Sequence, residues 1–185
     1  ISAVKYGKAV DTSMGFTPQE GLPMGTRCGT IDPSIIEYIC TNSGMSVKEV
    51  NDALNKKSGL LGVSGVSNDA RYVWDAAEAG DHRSQLALDV LAHSAKKIIG
   101  SYAAVMNGVD VIVFTAGMGE NDSRIRERIA TDMEYLGVEF DKDANKNFPR
   151  GKNCEISAKS SRTKVLVIPT DEELMIAKDT EALVK

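Results

Sequence analysis

Apolar residues fall along this chain in short clusters whose spacing changes from segment to segment, and the changes mark its elements. Residues 1–10 space them closely enough for a strand. Residues 11–29 then carry six glycines or prolines (Gly15, Pro18, Gly21, Pro23, Gly25 and Gly29), a density that forces tight turns. Asp32-Pro33 reads as a helix start, with a side-chain acceptor at the N-cap and a fixed φ behind it. That helix runs to about Thr41 and ends at Gly44. Ser46 and Glu49 have capping-box spacing and open a second helix over residues 47–56. Ile35, Ile36, Ile39, Val47, Val50 and Leu54 supply stripes predicted to be buried. Residues 59–67 mix Gly and Ser with Leu60, Leu61, Val63 and Val66, a short loop or strand. A helix follows from about Asp69 to near Gly80, with Tyr72 and Trp74 as packing rings. A long helix over 84–107 places Leu88, Leu91, Ala92, Ala95, Ile99 and Tyr102 on one side.

The second part of the chain changes period. Val111, Ile112, Val113 and Phe114 are continuously apolar, as in a strand covered on both faces. A glycine-rich turn, a helix over 123–136 and a polar, less regular stretch over 137–162 come next. Val165 to Ile168 repeat the buried strand, and Thr170 with Glu173 repeat the capping-box spacing. This order predicts a layered α/β fold.

Composition narrows the function classes. The 185 residues hold 22 basic and 26 acidic side chains, net charge -4, with 42% hydrophobic content, which suits one globular domain, or one large piece of a bigger protein, with its own core. There is no basic face for nucleic acid and no apolar run long enough to span a bilayer. Cys28, Cys40 and Cys154 form no CxxC pair and leave an odd thiol. That points to a reducing, cytoplasmic setting and away from a disulfide scaffold or clustered zinc. The first residue is Ile1, with no signal peptide behind it, so the chain is expected to begin inside a longer protein.

Four places can carry chemistry. Phe114-Thr115-Ala116-Gly117-Met118-Gly119-Glu120-Asn121 lies between a strand and a helix, where a sheet's carboxyl edge leaves a crevice. Gly117 and Gly119 allow close approach to the backbone, and the helix after them offers free N–H groups to phosphate. The spacing is neither a Walker loop nor GxGxxG, and a plain strand-to-helix turn explains it equally well. Arg27, in Gly25-Thr26-Arg27-Cys28-Gly29, is a guanidinium in a glycine-shaped loop, suited to a carboxylate or a transferring phosphoryl group. A lone loop arginine is more often a surface salt-bridge partner. Glu173 is explained by its capping box, whereas Glu172 has no local duty and could hold magnesium beside nucleotide phosphates; a favourable charge at a helix N-terminus explains it as well. Asp69 and Arg71 sit at a turn where an arginine can stack on adenine, although helix capping is the cheaper explanation. His82 and His93 are too isolated for a metal site, and His93 reads as a packing residue. Arg124, Arg126 and Arg128 read as a solvated helix face.

The segments DTSMGFTP at 11–18, EGL at 20–22, GTR at 25–27, FTAGMGEN at 114–121 and PTDEEL at 169–174 resemble, in order and separation, the acetate kinases. These form the acetokinase family of the acetate and sugar kinase/actin superfamily, and the resemblance covers essentially all 185 residues. It implies an actin-like ATPase domain of ribonuclease H-like fold with inserted helices, residues 1–185 being the carboxyl-terminal nucleotide-binding and dimerisation domain. It implies reversible transfer of the γ-phosphoryl group of ATP to acetate with Mg2+, giving acetyl phosphate and ADP. Arg27 then stands as the catalytic arginine, Glu172 as the magnesium-associated glutamate, and Gly117, Met118 and Asn121 line the nucleotide pocket with Asp69 and Arg71 near the adenosine. Cys28 stands where serine is common in the family and Tyr72 where aspartate is common. The amino-terminal domain with further substrate and phosphate contacts is missing, so the chain alone is expected to be inactive, and a homodimer is the implied assembly. Propionate or butyrate kinase is the alternative within this class, since one methylene changes discrimination by only about 1–3 kcal/mol. A non-catalytic nucleotide-binding or dimerisation module is the alternative outside it.

Overall fold

A computed structural model describes all 185 residues as two compact units, residues 1–108 and 109–185. Unit 1 opens with an antiparallel hairpin, β1 (Ser2–Lys5) and β2 (Lys8–Thr12), where one strand was predicted. Tyr6 at φ 54° and Gly7 at φ 76° form the two-residue turn, the left-handed pair that suits hairpin twist. The Nζ of Lys5 donates to the carbonyl of Met106 at 2.9 Å, a cation at a helix C-terminus.

Five helices complete the unit: α1 (Ser34–Ser43), α2 (Val47–Lys56), α3 (Gly59–Ser64), α4 (Ala70–Glu78) and α5 (His82–Met106). Asp32 accepts from the Ser34 N–H at 2.9 Å with Pro33 already helical, and Gly44 closes α1 at φ 72°. The Ser46/Glu49 capping box is formed in both directions. α5 begins two residues earlier than predicted because Asp81, not a later residue, caps it through the Ser84 N–H. It packs on α3 and α4, with Ala87, Leu88, Leu91, Ala92, Ala95 and Tyr102 of α5, Leu60 of α3, and Val73 and Trp74 of α4 all buried.

The pattern misled in three places here. Residues 59–64 are helix, not loop or strand, since Gly59 at φ 60° starts a turn that the alternating residues then follow. The stripe of α1 is not buried; Ile35 and Tyr38 are exposed, as is Val47 of α2. Tyr72 and His93 face solvent rather than packing.

Unit 2 is a three-stranded open sheet in the order β3-β5-β4, from β3 (Val111–Phe114), β4 (Cys154–Glu155) and β5 (Lys164–Val167). β3 and β5 run parallel with Val111 opposite Lys164 and Phe114 opposite Val167, and β4 is antiparallel to β5. Helices α6 (Ala116–Asn121), α7 (Ser123–Ala130) and α8 (Lys142–Asn147) lie between β3 and β4, and α9 (Glu172–Val184) follows β5. Ile112, Ile125, Ile129, Met133, Ile156, Val165 and Val167 form the core. β3 is covered on one face only: Ile112 is buried, whereas Val111 and Val113 on the opposite face stay 42% and 46% exposed. The helix predicted over 123–136 stops at Ala130, where Asp132 at φ 56° turns the chain into a 3-10 turn over Glu134–Leu136. Mixed α/β architecture with open sheets and inserted helices is what the resemblance implies.

Candidate functional site

In unit 1 the glycine-rich stretch folds as a series of close backbone contacts that present Arg27. The N–H of Met24 donates to the Arg27 carbonyl at 3.1 Å, and the N–H of Leu60 and of Leu61 donate to Met24 and Gly25 at 2.9 Å. A Cβ on Gly59 would strike the carbonyl of Met24 and stand 2.7 Å from that of Arg27. A Cβ on Gly25 would lie 2.7 Å from the Asn68 carbonyl, so the loop is pressed against the turn that leads into Asp69. The salt bridge expected of a lone loop arginine is not formed: the guanidinium of Arg27 is half-buried and its hydrogen-bond neighbour is the Met24 thioether at 3.7 Å. A charge taken partly out of water with only sulfur beside it keeps its capacity for an anionic ligand.

Asp69 does cap α4, accepting from the Arg71 N–H at 2.9 Å. The Arg71 side chain folds back on the same carboxylate, with Nε 3.1 Å from each oxygen. That side-chain hydrogen bond, followed by the backbone one, lowers the Asp69 pKa to about 2. The guanidinium edge is thus occupied, while its face stays open to solvent and can still stack.

In unit 2 the two turns at the carboxyl ends of β3 and β5 are brought side by side by the parallel register. The hydroxyls of Thr115 and Thr170 share a hydrogen bond of 2.7 Å, and the Thr170 N–H donates to a Glu120 carboxylate oxygen at 2.9 Å. Gly117, Met118 and Asn121 lie within the short helix α6, rather than in a turn before a helix. Ala116 starts α6 at φ 58°, a left-handed conformation that alanine adopts at a cost of about 1 kcal/mol or more. Gly119 backs onto Phe114, with a Cβ position 3.2 Å from its carbonyl carbon, whereas a Cβ on Gly117 would meet nothing within 4 Å. Gly117 therefore leaves open space above the backbone. Asn121 Nδ2 donates to the Gly117 carbonyl at 2.8 Å.

Glu172 is the first residue of α9 and is exposed. The capping box assigned to Thr170 and Glu173 is not formed. Asp171 is the cap, accepting from the Leu174 N–H at 3.1 Å, and the Thr170 hydroxyl pairs with that of Thr115. Glu173 thereby loses the duty that separated it from Glu172. No group of three or more His, Cys, Asp or Glu residues converges as a metal site. A single carboxylate fits magnesium in one mode, with phosphate oxygens and water as its other ligands.

Sequence reasoning missed Arg126. It is not on a solvated face but 1% exposed beneath α6, among the core residues Ile125 and Ile129. The one local hint is its four-residue spacing from Ala130 on the buried side of α7, and a charged residue at that spacing still reads as solvated until its partners are known.

Comparison with known proteins spans nearly the whole chain. The model of the acetokinase family fits residues 1–178. The acetate kinase of Caldicellulosiruptor saccharolyticus is 56% identical over 185 residues, all of this chain and 46% of that protein. The crystal structure of Porphyromonas gingivalis acetate kinase superposes with a TM-score of 0.95 at 48% identity, covering 100% of this chain and 46% of the other. A propionate kinase from Francisella tularensis gives 0.88 at 46% identity, covering 96% of this chain and 44% of the other. The chain thus spans about half the length of the relatives it matches. None of its helices is long and apolar enough to cross a membrane, and all three cysteines are free thiols.

Proposed function

The chain belongs to the acetokinase family, and from that premise we propose that residues 1–185 are the carboxyl-terminal, nucleotide-binding and dimerisation domain of a cytoplasmic acetate kinase. The reaction is attack of an acetate oxygen on the γ-phosphorus of ATP as the bond to the β-phosphate oxygen breaks, giving acetyl phosphate and ADP, and the reverse. The observation that carries this reading is Arg27, a half-buried guanidinium without a carboxylate partner, held by a loop in which two glycines cannot carry a Cβ.

Arg27 donates hydrogen bonds to the acetyl and phosphoryl oxygens, where charge grows in the transition state. Gly117, Met118 and Asn121 seat the nucleotide on the open face of α6, and Asp69 orients Arg71 for the adenosine. Glu172 would hold Mg2+, directly or through water. The bound ion neutralises charge on the phosphoryl oxygens. In-line transfer depends on positioning both reactants, so the chain alone is inactive and the remainder of the longer kinase supplies the missing contacts. A homodimer is the proposed assembly.

The test is Arg27→Ala in the full-length kinase. Turnover should fall by about a hundredfold or more, the scale of removing one preorganised donor to a developing charge. Near-normal turnover would reject the role. The likeness to a propionate kinase favours a second reading of the acyl substrate. Competition among acetate, propionate and butyrate decides it: acetate must be preferred in kcat/KM, or the named substrate is wrong.

A further inference from the structure

Helix α6 carries three of the proposed nucleotide contacts, yet it has six residues and buries none of them. Helices this short do not hold themselves in water, and α6 has no apolar face to hold it from outside. Its position must come from polar anchors. On one side Glu120 reaches the Thr170 N–H at 2.9 Å. On the other lies Arg126.

The guanidinium of Arg126 is 1% exposed. Its Nη1 donates to the carbonyls of Gly119 and Glu120, both at 2.9 Å, so one nitrogen closes two of the carbonyls that the C-terminus of α6 leaves open. Its Nε donates to Asn145 Oδ1 at 2.8 Å and its Nη2 to the Asn145 carbonyl at 3.1 Å. Asn145, itself fully buried, donates from Nδ2 to the Ser123 carbonyl at 2.9 Å and so ties the assembly to the start of α7. Phe148 covers the guanidinium plane at 4.8 Å. Every one of these hydrogen-bond acceptors is neutral; the Asp122 carboxylate is a counter-charge acting on the guanidinium without being one of those acceptors. A buried charge spent on carbonyls is a costly way to gain stability, and an apolar side chain of similar volume commonly serves stability as well or better. What the fork of planar donors does supply is a fixed place for two specific carbonyls.

We propose that Arg126 is a positioning residue of the nucleotide site, acting through the Gly119 and Glu120 carbonyls to fix the helix that presents Gly117, Met118 and Asn121. This rests on the assignment of that helix to the nucleotide. The residue touches no reactant; it sets how well the seat is formed before ATP arrives.

The test has two arms. In the 185-residue chain, hydrogen exchange is compared for wild type, Arg126→Met and Arg126→Lys. The amides of residues 120–122, which the hydrogen-bond ladder of α6 occupies, should exchange at least tenfold faster in the Met variant while those of Ile112 and Val165 keep their protection. The Lys variant, which retains a donor, should fall between. Equal acceleration throughout unit 2 would make Arg126 a general stability residue and overturn the proposal, as would no change at 120–122. In the full-length kinase, the Met variant should raise KM for ATP at least tenfold with KM for acetate within twofold and a smaller loss in kcat, and Lys should recover part of it. A loss confined to kcat, or shared equally by both substrates, also overturns it. Wild-type full-length protein without phosphoryl transfer to any short carboxylate would instead refute the kinase reading, and the exchange arm would still report whether Arg126 anchors α6.

Discussion

Gly117→Ala separates a structural glycine from a ligand-serving one. Gly117 is the second residue of α6, its φ is not in the left-handed region, and a Cβ there meets nothing within 4 Å. The fold has no use for glycine at this position, and alanine should stabilise the free chain by about 0.5–1 kcal/mol through helix propensity and a less flexible unfolded state. For a chain of this size that is a rise in Tm of about 1–4 °C, readable by circular dichroism. The same methyl group projects into the space assigned to the nucleotide, where overpacking costs about 1–3 kcal/mol, or roughly five- to a hundredfold in ADP affinity measured by calorimetry on the full-length kinase. The two readouts must move in opposite senses. A lower Tm would show a structural duty that the geometry does not contain. A higher Tm with unchanged ADP affinity would mean the open face of α6 is not where the nucleotide sits.

Gly59→Ala should act the other way, since φ 60° and the carbonyls of Met24 and Arg27 leave no room for a Cβ; a loss of about 2–4 kcal/mol in urea unfolding is expected, and less than 0.5 would contradict the packing of that loop. Asp69 has a pKa lowered from 3.8 to about 2, so its contribution to stability is present above pH 3.8 and is lost as pH falls through 2. Asp69→Asn should therefore lose less stability than wild type on acidification across that window, followed by circular dichroism at fixed urea, and parallel losses would show that the Arg71 pairing does not shift the carboxylate. Glu172→Gln in the full-length kinase should raise the magnesium concentration needed for half-maximal rate severalfold, with excess metal restoring part of the rate; an unchanged metal dependence would return Glu172 to a helix-end role.

Local chemistry was legible where it needed only neighbours in sequence. The Ser46 capping box, the Asp69 cap, the Gly44 stop and the parallel-type strands at 111–114 and 164–167 all follow from a few adjacent residues. What failed needed knowledge of a distant partner. Thr170 and Glu173 have capping-box spacing, but the hydroxyl pairs with that of Thr115, 55 residues away, and Asp171 is the cap. Arg126 in an alternating charged row looks solvated until Asn145 and two carbonyls of α6 are brought under it by the fold. For Arg27 the sequence left a surface salt bridge as the commoner alternative to a functional guanidinium; the folded loop forms no such bridge and sets a thioether beside it.

Where the apolar pattern erred on burial, it predicted more than the chain achieves: Val111 and Val113 of β3, Ile35 of α1 and Val47 of α2 are exposed. Tyr38 of α1 and Leu174, Met175 and Ile176 of α9 are further exposed apolar side chains. Val111 and Val113 share the uncovered face of β3, opposite the buried Ile112. β3 is also an edge strand: the carbonyls of Asp110 and Phe114 are taken by β5, so the backbone groups of Val111 and Val113 between them point to the unpaired edge. An apolar edge strand without proline, charge or bulge is unusual in a finished surface. A continuous apolar run is the signature of a strand with neighbours on every side, and its residues follow that rule here more closely than its surroundings do. Under the proposed reading this is expected. The sequence is patterned for the packing of the longer kinase, and the positions where pattern and burial disagree are the ones the remainder of that protein or a second copy would cover.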